Sequence, residues 1–190
     1  MNNKTKKLVE KAQLKDTLKQ EFEFSLEQRI ERYLDLKPHG IIPNSHFAAV
    51  SAECHLLYRD GHYYGTVSLT QSVAEALVKF LCNVNVNGWE SNKNFEKNLE
   101  QLIRREKITE DLKTQFIEIW QRRNDYHHLN PQVEQDRQKL EQLAKDKLSR
   151  LKQIEEELFA YSTNNGKLVP KFPKYWDQKN GKVPVFLRFD

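Results

Sequence analysis

A chain of 190 residues, 38% hydrophobic and 31% charged with a mean hydropathy of -0.82, has room for one domain with a sizeable core, or a domain with an appendage, and its balance suits a helix-rich protein with broad solvated faces. Six glycines and six prolines are few for this length, which argues against an all-β sandwich or a low-complexity chain. The formal net charge of +4 permits a polyanionic partner without demanding one; the lysine-rich start has no apolar signal core and no run is long enough to span a bilayer, so the expectation is a cytoplasmic protein with no membrane partner.

The first helix is expected over about residues 6–36, where Leu14, Leu18, Phe22, Leu26 and Ile30 follow one another at i+4 steps and form an amphipathic ridge that needs a partner. Pro38 and Gly40 end it, and with the loop through Pro43 it makes an N-terminal segment of residues 1–43. Asn44 or Ser45 can cap a second helix carrying Phe47, Val50, Cys54 and Leu57, which Asp60-Gly61 breaks. In a third helix, about residues 62–83, Tyr64, Val67, Gln71, Ala74, Leu77, Val78 and Leu81 share a broad face, while Gly65, Ser68, Ser72 and Ala76 keep it slim. This is the expected central helix, with Glu75 beside its buried face. Residues 83–94 read as an exposed loop, and Phe95, Leu99, Leu102 and Ile103 as a short fourth helix.

Thr109 caps a fifth helix with Glu110 and Asp111 in its first turn and Leu112, Phe116, Ile119 and Trp120 on one stripe. Continued at about 100° per residue to Pro131, that stripe meets Arg123 and His127, with Asn124 and His128 on the adjoining flank. A guanidinium on a buried line needs an acidic partner or a cleft that admits water and anions, and Glu75 is the leading candidate partner. With Pro131 at its first position, a charged helix to about residue 161 carries Leu140, Ala144, Leu148, Leu151, Ile154 and Leu158 as a bundle or dimer seam. The sum is an all-α, up-and-down helical bundle over residues 44–163. Residues 164–190 form a small extended or β-hairpin arm, in which Asn180-Gly181 is the turn signal. Its aromatics, Phe172, Tyr175, Trp176, Phe186 and Phe189, alternate with lysines; packing on the chain's own body is favoured over stacking on nucleotide bases. Cys54 and Cys82 read as buried free thiols of a reducing compartment.

No His/Cys spacing supplies three metal ligands and no glycine-rich loop cradles a nucleotide, so neither a metal nor a cofactor is expected. Arg123-Asn124-Asp125-Tyr126-His127-His128, set at the end of a helix in an all-helical chain, resembles the signature of the HEPN (higher eukaryotes and prokaryotes nucleotide-binding) superfamily. The stretch from Gly61 to Leu69 and on through Ala74 to Leu77 is similar to that family's helix entering the core, and the resemblance spans roughly residues 45 to 160.

The resemblance implies a HEPN-like homodimer with a composite site that cleaves single-stranded RNA without metal, leaving a 2′,3′-cyclic phosphate, in a prokaryotic stress or defence setting. It assigns Arg123 to the scissile phosphate, His128 to proton transfer and Asn124 to positioning, with Arg122 and Tyr126 as further substrate contacts. Chemically the set is sufficient: an imidazole titrates near neutrality, and a guanidinium presents a fork of donors to phosphate oxygens. Arg122 to His127 repeats the spacing of Arg123 to His128, so both histidines are candidates. Where the toxin branch of the family carries a Tyr two residues after the His, this chain has Asn130, or Leu129 in the other register. That departure separates it from toxins silenced by adenylylation, although a regulatory or antitoxin protein is a possible partner. The rival readings are a catalytically silent dimerisation or partner-binding module and a nucleic-acid binder working through the arm.

Overall fold

The computed structural model describes residues 3–37, 40–87, 94–177 and the backbone of 186–187, and the chain divides after Lys37 into two compact units. The first is one helix, α1 (Asn3–Asp35), none of whose residues is buried. Leu14, Leu18, Phe22 and Ile30 are exposed along it, and the Arg29 guanidinium lies 4.8 Å from the centre of the Phe22 ring.

The second unit is a helical bundle built from α2 (Ser45–Arg59), α3 (Tyr63–Asn85), α4 (Phe95–Arg104), α5 (Glu110–Trp120), α6 (Arg123–His128) and α7 (Arg137–Leu158). Its helix starts are local chemistry. Side-chain oxygens of Asn44, Asn94, Thr109 and Asp136 accept from His46 N, Lys97 N, Leu112 N and Gln138 N, which satisfies amides that have no partner inside the helix. α7 therefore begins six residues beyond the expected Pro131, because Asp136 supplies the cap, while Pro131 and Gln132 lie in a turn followed by irregular chain.

Helix α3 is the hub, packed against each of the other five helices of this unit. It buries Val67, Ala74, Leu77, Val78 and Leu81 as expected, and also Tyr63, Thr66, Thr70, Val73 and Cys82, so it is covered on more than one face. A Cβ at Gly65 would sit 3.4 Å from the Leu57 side chain of α2, in ordinary contact with it. The stripe of α7, from Leu140 to Leu158, is buried inside this bundle against α2, α3 and α5. Cys54 and Cys82 are buried and form no disulfide, and burial pushes the Cys82 thiol up to about 11.

The C-terminal region carries two small antiparallel pairs. Strands β2 (Tyr161–Asn164) and β3 (Lys167–Pro170) form a hairpin whose turn is Asn165-Gly166, both at positive φ, the geometry that matches strand twist in a two-residue loop. The hairpin thus falls at the first Asn-Gly pair of the region; the expected turn at Asn180-Gly181 lies outside the described residues. Strand β1 (Ile41–Ile42) pairs with β4 (Phe186–Leu187). Between them the arm packs on the body. Tyr175 and Trp176 are buried, Tyr175 meets Phe80 edge-on at 6.0 Å and accepts from Asn85 Nδ2, and Asp177 accepts from both Ser45 N and Ser45 Oγ. Those two aromatics are therefore unavailable for stacking on bases.

Candidate functional site

The site is made by a helix that stops early. α5 ends at Trp120, Gln121 is extended and Arg122 is left-handed at φ 60, so α6 starts on a fresh axis. The expectation of one continuous helix to Pro131 is corrected here, and with it the argument that Arg123 and His127 prolong the Leu112 stripe. The carbonyls left open at the end of α5 explain the stop. Lys147 Nζ donates to the carbonyls of Glu118 (3.1 Å), Ile119 (2.7 Å) and Gln121 (3.0 Å), and Gln71 Nε2 donates to those of Ile119 and Gln121, both at 3.1 Å. A cation at a helix C-terminus is favoured by the aligned peptide dipoles. Burial, at 3% exposure, still pushes the Lys147 ammonium down to about 8, with Arg122 and Arg150 lowering it further and Glu118 opposing.

One side chain locks α6 in place. Tyr126 is 2% exposed, its ring lies 6.2 Å from that of Tyr64, and its hydroxyl accepts from Glu134 N while Tyr64 Oη donates to Glu134 O at 2.8 Å. Burial raises the Tyr126 phenol above its ordinary range. Tyr126 is thus a core residue, which corrects its assignment as a substrate contact. Arg122 is held by Asp125 at 3.2 Å and by the Gln132 carbonyl, with Tyr126 under its guanidinium at 5.8 Å.

Arg123, Glu75 and His127 come together where α6 meets α3. Arg123 Nη2 lies 3.8 Å from Glu75 Oε2, longer than a hydrogen bond, while Glu75 Oε1 is held by Lys79 Nζ at 2.6 Å. The guanidinium lies 5.2 Å from the centre of the Trp120 ring, itself stacked at 4.2 Å on Phe95, and Nη1 contacts Asn124 Oδ1 at 3.4 Å. The Arg123 side chain keeps 30% exposure, and its buried Nε has no hydrogen-bond partner among the described residues. His127 is half-buried, and its Nε2 is likewise without a partner among them. Burial, and then the Arg123 charge, push its pKa below the ordinary value; Glu75 and the Ser68 backbone pull the other way, and His128 lowers it slightly further. Asn124 and His128 are exposed on the same short helix.

A partly exposed guanidinium 3.8 Å from its carboxylate neighbour, beside an imidazole biased toward its neutral form, is chemically equipped to hold an oxyanion and to accept a proton. Lys147, Gln71 and Lys79 were not singled out as site residues. A polar residue within an apolar stripe could have flagged two of them: Gln71 stands on the broad face of α3, and Lys147 continues the spacing Ala144, Lys147, Leu151, Ile154. Among the described residues no group of three or more His, Cys, Asp or Glu gathers as a metal site, and no helix is long and apolar enough to cross a membrane. Compared with protein-family models, with curated proteins and with solved structures, the chain matches none.

Proposed function

We propose that this chain is a metal-independent endoribonuclease acting on single-stranded RNA, with the Arg123 cluster as its site and a second copy completing the cleft. The observation that carries the reading is the pairing of a half-exposed guanidinium, 3.8 Å from its nearest carboxylate, with a neighbouring histidine whose pKa is lowered. In the proposed reaction an imidazole takes the proton of the ribose 2′-hydroxyl. The 2′-oxygen then bonds to phosphorus, the bond from phosphorus to the 5′-oxygen breaks, and a proton is returned to that leaving oxygen. Arg123 balances the added charge on the phosphorane, and Asn124, beside it and exposed, orients the phosphate. His127 suits the proton acceptor because its ring is biased toward neutrality; His128, exposed one residue on, suits the donor or a role across the dimer. The proposed setting is the cytoplasm of a prokaryote under stress or attack, with a regulatory protein as a further partner.

The test is cleavage of single-stranded RNA in EDTA with analysis of the ends. Arg123→Ala is expected to remove cleavage while binding persists, and His127→Ala and His128→Ala to lower it by about 10²-fold or more, the scale of general acid–base catalysis. Cleavage indifferent to all three substitutions would sink the proposal. The second reading, a catalytically silent partner-binding module, is favoured by the proximity of Glu75 to Arg123, and predicts no cleavage from any variant or from the parent.

A further inference from the structure

The surface left without a role is α1, and its charge order is unusual. On the i+4 row beside Leu14, Leu18 and Phe22 stand Lys7, Lys11, Lys15 and Lys19, all exposed. The same row then continues as Glu23, Glu27, Glu31 and Asp35, also exposed. Neighbours four residues apart face one another on a helix, so three lysine–lysine and three acid–acid steps oppose each other within this single element. The order also runs against the helix dipole, which favours acids at the N-terminus and bases at the C-terminus. Of the seven i+4 steps in this row, only the central one, Lys19 to Glu23, joins opposite charges.

We infer that α1 is a self-association surface, and that its occupant is the α1 helix of a second copy of this chain laid antiparallel. With the two-fold axis between Lys19 and Glu23, Lys19 of one copy comes opposite Glu23 of the other, Lys15 opposite Glu27, Lys11 opposite Glu31 and Lys7 opposite Asp35. The repulsive row becomes a ladder of opposite charges, and the two helix dipoles oppose each other. A parallel partner would set lysine against lysine. Under the ladder runs a groove bounded by Leu14, Leu18 and Phe22 with Lys11, Lys15 and Lys19, which supplies apolar surface for the pairing to cover. Charge order sets orientation and apolar contact supplies adhesion, the division of labour found in paired helices generally.

This pairing stands apart from the RNA-cleaving reading, since Arg123→Ala leaves it intact. It is tested on the full chain by sedimentation. The parent is expected to be dimeric, with association weakening as salt rises. The triple variants Lys11→Glu/Lys15→Glu/Lys19→Glu and Glu23→Lys/Glu27→Lys/Glu31→Lys change only exposed positions, so folding survives; each alone is expected to lose self-association at least tenfold, and an equimolar mixture to recover it. Orientation is read by oxidation: Lys15→Cys mixed with Glu27→Cys cross-links, while Lys15→Cys alone does not, the native thiols being buried. A parent that sediments as a monomer, Lys15→Cys and Glu27→Cys that fail to cross-link, or cross-linking of Lys15→Cys with itself alone overturns the inference. A dimer that persists in both charge variants without that cross-link belongs to the cleft of the RNA-cleaving reading and overturns the inference too.

Discussion

Lys147 concentrates the physics of this fold in one side chain. Its ammonium serves three carbonyls at the end of α5 and shares two of them with Gln71. Lys147→Met removes a buried charge but leaves carbonyls under-satisfied, and is expected to destabilise the protein by about 1–3 kcal/mol in urea titrations at neutral pH. Gln71→Leu should couple with it, because the two donors share acceptors. Between pH 8 and 10.5 the unfolded chain holds a proton on this residue that the folded chain has released. Stability contributed by Lys147 therefore rises with pH across that window, by no more than about 3 kcal/mol, and the Met variant lacks the rise.

His127 has the same sign of shift and a different window. Its folded pKa is depressed, so its contribution to stability is present above the ordinary value of 6.5 and is lost as pH falls through the folded value. In a proton NMR titration His127 is expected to titrate below 6.5, and Arg123→Gln to move it upward, since the guanidinium is the second largest cause of the lowering. A titration unaffected by that substitution would remove Arg123 as an electrostatic partner of the ring.

At the scale of elements, boundaries set by a local cap or breaker were largely legible: Asp60-Gly61 ends α2 as expected, although Asp136 and not Pro131 starts α7. Thr109 and Asn44 cap the helices they precede because capping is decided within four residues. The stop at Trp120 was not legible, because the groups that cause it lie about 25 residues after it on α7 and about 50 before it on α3. Periodicity alone therefore ran the helix on to Pro131 and put Arg123 and His127 on a stripe that has already ended. The two histidines and Arg123 were legible as residue types, and so was the nearness of Glu75 to Arg123; the burial of Tyr126 was not. In the hairpin, Gly166 at φ 72 is a position where a side chain is strained. Gly166→Val is expected to destabilise the turn by about 1–2 kcal/mol and to speed amide exchange between Tyr161 and Pro170, with the bundle helices unchanged.

At the scale of the molecule, the all-helical class followed from composition and the 3.6-residue period, and the central place of α3 from its broad apolar face. The N-terminal helix forms a unit of its own. Removing residues 1–37 is expected to leave near-UV circular dichroism and the urea midpoint of the second unit close to those of the full chain, while abolishing the self-association assigned to α1. Loss of tertiary signal in the truncated chain would show that the bundle depends on that helix.

The antiparallel β1–β4 pair and the Asp177–Ser45 hydrogen bonds bring the two ends of the second unit to one spot. Sewn together there and reopened at the exposed Asn165-Gly166 turn, the chain would be a circular permutant whose entry and exit points have moved without any helix changing neighbours. Mechanically, a pull applied at the original ends would load a short two-residue zipper and one carboxylate clasp before any force reached α3. The bundle is thus shielded from tension on its flanks until that clasp lets go.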